Sequence, residues 1–300
     1  MSNVLSTVYA HAAELRSVGL SLGGKWTGRS FGPLLDVRKG PGGEYTDPRP
    51  YVPGDDLRHL DRRTFQRTGD FYVYNTIAER ELDVWFVVKQ TPSMAFGSRF
   101  VSKHELVRGL IAAVALMMEP FKARYGLILA GDDPEPSVKV DLASSPGHLK
   151  EIDKQVAEAP LSAGGLVGDA LEFAADRAER RSMFVLLSDL LDDSWQEPSK
   201  RLAFEHRYLV AEIIDPAEMT LPFAGLRRMI SPDTDRKIWT WITRDKRARY
   251  QIAAVTQRMK HAEVLMETGG LHTQILSHPG WVLDLLYQVR RFETERRWSA

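Results

Sequence analysis

From Asp83 onward, short apolar runs alternate with longer amphipathic segments, and this alternation constrains the fold more than any single motif. Val84-Trp85-Phe86-Val87-Val88 reads as a buried strand. Lys103 to Phe121 reads as a helix whose Leu106, Leu110, Ile111, Val114, Met117, Met118 and Phe121 cover most of its circumference, as expected of a helix sandwiched in a core. "YGLILAGDDPEPSVKVDL" gives two strands joined at Gly131-Asp132-Asp133-Pro134, a connection tight enough for an antiparallel pair. Helices follow around His148 to Ala157 and Val167 to Arg180, and then the strand Met183 to Ser188. "RYLVAEIID", "KIWTWIT" and "LHTQILS" supply further strands, with a helix from about Arg244 to Met266 and a closing helix through Leu283, Leu286 and Val289. Strands separated by helices of this length predict an α/β, doubly wound, mostly parallel sheet covered on both faces, with right-handed crossovers. Ligands of such sheets gather at the carboxyl ends of the strands, which here carry Lys89 to Ser93, Asp132 and Asp133, and Ser188 to Asp193.

Before residue 83 the texture differs. Residues 19 to 54 hold nine glycines and several prolines, which implies turns and short strands. The chain is therefore divided into residues 1–82, an N-terminal helix and short-strand region, and residues 83–300, the α/β domain. Forty basic residues balance forty acidic ones, so bulk charge favours neither nucleic acid nor a membrane surface as a partner. With no cysteine, disulfides and thiolate chemistry are excluded, which fits a reducing compartment. The amphipathic start lacks a secretory pattern, and the longest greasy stretch, Leu110 to Met118, is far below the ~20 residues of a membrane span. A cytoplasmic protein is expected.

The motifs that would signal an enzyme fail on inspection. "GLSLGGKW", Gly19 to Trp26, matches the phosphate-cradling spacing up to its lysine, but the next position is Trp26 rather than Ser or Thr, and a helix precedes it where a buried strand is needed. The eight histidines form no helical pair beside an acid, and His104, His148 and His261 read as helix-surface residues. There is no Gly-x-Ser-x-Gly elbow, and Ser93 has no evident base. The arginines of Arg58 to Arg67 and Arg244 to Tyr250 are interleaved with acids or matched to a helical solvent face, so they read as solvated surface. In "EYTDPRPYVPGDDLRHLD", Pro53-Gly54 suits the centre of a type II turn, with Asp55 and Asp56 placed to accept backbone hydrogen bonds. Arg49, Arg58 and Asp61 can pair with their neighbours, giving a structural corner.

That stretch, followed by "FYVYNTIAERELDVWFVV" and "TPSMAFGS", resembles the bacterial domain-of-unknown-function 58 family, whose members carry a von Willebrand factor A-like, Rossmann-type domain. The family corner maps onto Glu44, Arg49, Tyr51, Pro53, Gly54, Asp55, Asp56, Arg58 and Asp61. Arg62 stands where the family usually has Trp. The resemblance implies a partner, because such proteins are typically encoded beside MoxR-type AAA+ ATPases, and other A-like proteins as further partners. It implies a non-enzymatic adaptor in chaperone-like assembly or maturation; from the charge and apolar patterning above, no nucleic acid and no membrane span are expected, and no cofactor is expected either. It also implies a metal-ion-dependent adhesion site, Asp-x-Ser-x-Ser with a Thr and an Asp from two further loops. Here Lys89 replaces the first Asp, Thr91 and Ser93 keep the hydroxyls, Leu166 stands in place of Thr, and Asp189 supplies the last acid. A divalent cation needs oxygen ligands and negative charge, so a degenerate site without metal is expected. Lys89 has two placements open to it: an ammonium paired with Asp189, or a stem that snorkels to solvent. The competing reading is a divalent-metal-dependent binder or enzyme using Asp189, Asp132, Asp133 and the two hydroxyls.

Overall fold

The computed structural model describes residues 3–23, 45–51, 60–76, 82–131, 136–145, 147–162, 165–178, 182–223, 225–231, 233–234 and 236–298. In chain order the elements are α1 (Asn3–Ala10), α2 (Ala12–Gly23), β1 (Tyr45–Pro50), α3 (Arg62–Thr68), β2 (Tyr72–Thr76), β3 (Asp83–Lys89) and α4 (Lys103–Met118). They continue through β4 (Arg124–Ala130), β5 (Ser137–Ala143), α5 (His148–Glu158), α6 (Val167–Arg177), β6 (Met183–Ser188), α7 (Gln196–Glu205) and β7 (Arg207–Ile214). The last elements are β8 (Gly225–Ile230), β9 (Lys237–Ile242), α8 (Arg244–Thr268), β10 (Leu271–Leu276) and α9 (Trp281–Trp298).

Two compact units emerge, one from residues 1–22 with 82–300 and one from residues 23–81. The larger unit is built on a six-stranded sheet of order β10-β7-β6-β3-β4-β5, parallel except for β5, which runs antiparallel to β4 at one edge. Successive strands run outward from β3 in both directions, so the order reverses between β3 and β6. Their carboxyl ends flank the crevice where ligands of doubly wound sheets bind. Both faces of β3 are buried, which explains its unbroken apolar run. On one face Trp85, Val87, Ile128, Phe184, Leu186, Tyr208 and Val210 pack with α6 and α7 and with Leu265 of α8. On the other, α4 lies with α1, α5 and α9, and Gly109 lets Val4 and Trp281 approach its backbone.

The N-terminal helices belong to this larger unit, in contrast to the division at residue 82. Val4, Val8, Leu15 and Val18 are buried, and a Cβ on Gly19 would fall 1.8 Å from the Met117 carbonyl oxygen, so α2 touches the end of α4 backbone to backbone. The amphipathic stripe that marks a helix does not say which unit it covers. α4 stops at Met118, and Glu119 to Phe121 form a 3₁₀ turn containing Pro120, whose missing N–H cannot extend the helix. "KIWTWIT" does form a strand, but β9 pairs antiparallel with β8 in a separate two-stranded ribbon. α8 spans the expected helix, whereas α7 and β8 lie in stretches with no clear periodic signal.

In the smaller unit, β1 pairs antiparallel with β2, with Arg49 opposite Val73, and the Tyr51 N–H donates to the Phe71 carbonyl. Asp61 caps α3 by accepting from the N–H groups of Arg63 and Thr64 at 3.0 and 3.2 Å, and Phe65 stacks on Phe71. Glu44, Pro53, Gly54, Asp55, Asp56 and Arg58 of the corner lie outside the described residues.

Candidate functional site

β3 delivers Lys89 to the carboxyl edge of the sheet, and the chain then turns through a 3₁₀ segment, Pro92 to Ala95. Lys89 is buried, and its Nζ donates to Oδ1 of Asp189 at 2.8 Å, with Oδ2 of Asp192 3.6 Å away. Of the two placements open to Lys89, the molecule adopts the internal pair. Asp189 follows β6, and its position is set by the next residue, Leu190, which holds a left-handed φ of 51° while fully buried. For a bulky residue that backbone costs about 1–2 kcal/mol, so the surroundings must compensate.

The second oxygen of Asp189 belongs to a residue that the sequence reading missed. Lys103, the first residue of α4, is fully buried, and its Nζ donates to Oδ2 of Asp189 at 2.8 Å and to Oε1 of Glu218 at 2.7 Å. A signal was available: Lys103 lies three and four residues before Leu106 and Val107, on the buried stripe of α4. Burial alone would push Asp189 upward, but the two ammonium groups overcome it and hold the carboxyl at about 2. Burial likewise lowers Lys103, and the carboxylates of Asp189 and Glu218 outweigh that and raise it above the ordinary lysine value.

Beside this cluster, the hydroxyls of Thr91 and Ser93 bond to each other at 2.9 Å, both buried. Among the described residues neither bonds to the charged cluster. The Ser93 N–H donates at 2.7 Å to Oδ1 of Asp233, in the turn of the β8–β9 ribbon, so the ribbon reaches over the strand ends. Asp215, fully buried after β7, accepts from the N–H and hydroxyl of Ser98 and from the N–H of Ala217, fixing the loop beyond Ser93 and the turn that carries Glu218. Leu166 does not join the site. It precedes α6 and is 52% exposed, although its loop is tied to the third loop by the Gly168 N–H donating to Ser194 Oγ. Asp132 lies outside the described residues, as does Asp133.

A divalent cation does not fit this arrangement. Both Asp189 oxygens already accept from ammonium groups, Lys89 presents a donor where an anionic ligand is needed, and the half-exposed side chain of Leu166 carries no oxygen. Among the described residues, no group of three or more His, Asp or Glu side chains is placed to hold a metal ion.

The histidines correct the reading of a helix surface. His261 is buried on α8, with its Nδ1 3.0 Å from Oε1 of Glu212 and Trp195 edge-on to its ring. Glu212 also accepts from His272 and Gln274; burial pushes it up, but His261 and His272 outweigh that and hold it at about 2. Half-buried His104 and His148 contact the carbonyls of Val156 and Tyr125.

The family described as protein of unknown function DUF58 matches residues 47–261. The chain belongs to that family. An uncharacterised protein of Mycobacterium tuberculosis is 28% identical over 96% of this chain and 90% of its own length, and one of Mycobacterium avium is 27% identical over 47% of this chain and 82% of its own. Among solved structures, BatB of Bacteroides thetaiotaomicron superposes with a TM-score of 0.46 at 13% identity, covering 71% of this chain and 99% of that one. A von Willebrand factor type A protein of Catenulispora acidiphila gives 0.38 at 12%, covering 74% and 44%. The sheet order and antiparallel edge strand of this DUF58 protein are those of a doubly wound α/β fold. Among the described residues, no helix is long and apolar enough to cross a membrane.

Proposed function

We propose that this DUF58 protein is a non-enzymatic, cytoplasmic interaction component that works with a MoxR-type AAA+ ATPase in the assembly or maturation of other proteins. The observation that carries the reading is the double ammonium clasp on Asp189 at the crevice where the sheet order reverses. Fixed internal charges there provide shape and rigidity but no reactive group. A lysine with both neighbouring acids engaged is no base, and among the described residues neither hydroxyl of the Thr91–Ser93 pair is hydrogen-bonded to a side chain that could act as its base. A site whose charge is supplied by the chain itself can hold the surrounding loops in one conformation without a metal ion, which suits a standing docking platform.

The partner comes from the family resemblance, and its test is direct. Purified protein is titrated with a purified MoxR-type ATPase from the same organism, in the apo, ADP and non-hydrolysable ATP states. A saturable complex in at least one state is expected. Failure to bind in all three would overturn the adaptor reading, and esterase, phosphatase or peptidase turnover abolished by Ser93→Ala would replace it with an enzyme.

A further inference from the structure

The β8–β9 ribbon leaves an apolar and cationic face uncovered on the larger unit. Leu226 pairs with Trp241, Arg228 with Trp239 and Ile230 with Lys237, so these six side chains share one face of the ribbon. Trp239 is 66% exposed and Trp241 62%, with Leu226 and Ile230 about half exposed beside them. Neither strand, "GLRRMI" or "KIWTWI", contains an acid. An isolated two-stranded ribbon is marginal in water, yet this one is fastened at both ends. Its turn is held by Asp233 on the Ser93 N–H, and its far end by the fully buried Ile242 and by Arg247 lying over the Phe223 ring at 5.1 Å.

We propose that this face is the docking surface for an acidic, apolar segment of the AAA+ partner, an inference that rests on the adaptor reading above. Tryptophan and arginine are the residues that dominate binding energy at protein interfaces, and here they alternate on a face fixed before any partner arrives. Arg228, on a strand that contains no acid, complements a carboxylate on the incoming segment and sets its register. A lipid surface fits less well, because the ribbon's turn is polar and tied down on the strand ends, so no apolar tip projects to insert. A single-stranded nucleic acid would use the tryptophans for stacking, but Leu226 and Ile230 offer nothing to a base. Since the same ribbon holds Ser93 through Asp233, a segment docked on it sits against the loops that the Lys89–Asp189–Lys103 cluster keeps rigid.

The test compares wild type with the double variant Trp239→Ser/Trp241→Ser, with Arg228→Glu, and with Met266→Ser, a control at an exposed position on α8. Binding to the purified ATPase is measured by calorimetry in the nucleotide state that favours the complex. The double variant is expected to bind about thirtyfold more weakly and Arg228→Glu about tenfold. Melting temperatures should stay near wild type, since the altered side chains are exposed, and the control should bind normally. Wild-type affinity in both ribbon variants overturns the docking surface alone. Absence of binding by the wild type overturns the adaptor reading and this inference together. Binding of the wild type to phosphatidylglycerol vesicles or to oligodeoxythymidine, lost in the same variants and competing with the ATPase, reassigns the face to that ligand.

Discussion

Replacing Asp189 by Asn removes the charge between two buried ammonium groups while keeping the side chain's size. Asp189 is held at about 2 against an ordinary 3.8, and at about 1.36 kcal/mol per pH unit that gap favours the ionised, folded form by roughly 2 kcal/mol. This sets a lower bound, because a neutral carboxyl could still turn an acceptor oxygen to each Nζ, whereas Asn turns an N–H₂ toward one of them. Stranding buried lysines typically costs about 3–5 kcal/mol, and Lys103 is only partly compensated by Glu218. The expected loss is therefore about 3–5 kcal/mol at pH 7. Lys89→Met should cost less, about 1–2 kcal/mol, since Asp189 keeps Lys103. Urea unfolding followed by tryptophan fluorescence measures both. Because the folded carboxyl titrates below the unfolded one, its contribution is complete above about pH 4 and is lost as pH falls toward 2, so the gap between wild type and Asp189→Asn should narrow in acid. A loss under about 0.5 kcal/mol at pH 7, or a gap that does not narrow, would refute the reasoning.

Glu212→Gln should lower stability by about 2–4 kcal/mol, because an amide N–H₂ would face the donors of His261, His272 and Gln274; urea unfolding at pH 7 and pH 3 should show this loss also shrinking in acid, as Glu212 titrates from about 2 folded to 4.5 unfolded. Gly19→Ala forces α2 off the end of α4 and should cost at least about 1–3 kcal/mol in a thermal melt; a neutral effect would place residues 1–22 outside the larger unit. Asp61→Ala removes the cap of α3 and should cost about 0.5–2 kcal/mol, with loss of amide-exchange protection at Arg63 and Thr64.

The fold was legible because its strands are buried on both sides and therefore written as unbroken apolar runs, as in "VWFVV" and "MFVLLS". α7 was hidden by its content, "QEPSKRLAFE", in which a proline near the start and mostly polar residues mask the buried Leu202 and Ala203. β8 was hidden because neither of its faces is core, so no period-2 pattern was imposed on it. At the site, Lys89 and Asp189 were readable from strand ends and loop motifs, which are local. Lys103, Glu218 and Asp233 come from elements far apart in sequence and meet only in three dimensions. His261 was misread because its helix is mostly exposed and only Ala254, His261 and Leu265 are buried on it.

The central claim is that the ammonium groups of Lys89 and Lys103 fill the position where the family resemblance implies a divalent-cation site. Thermal melts of wild type and Lys89→Asp, each with EDTA and with millimolar magnesium, test it most directly. The wild type should melt at the same temperature in both. Lys89→Asp brings a carboxylate beside Asp189, so it should melt lower in EDTA and recover part of the loss when magnesium binds the folded state. A wild type stabilised by magnesium, or a Lys89→Asp variant indifferent to it, would contradict the account.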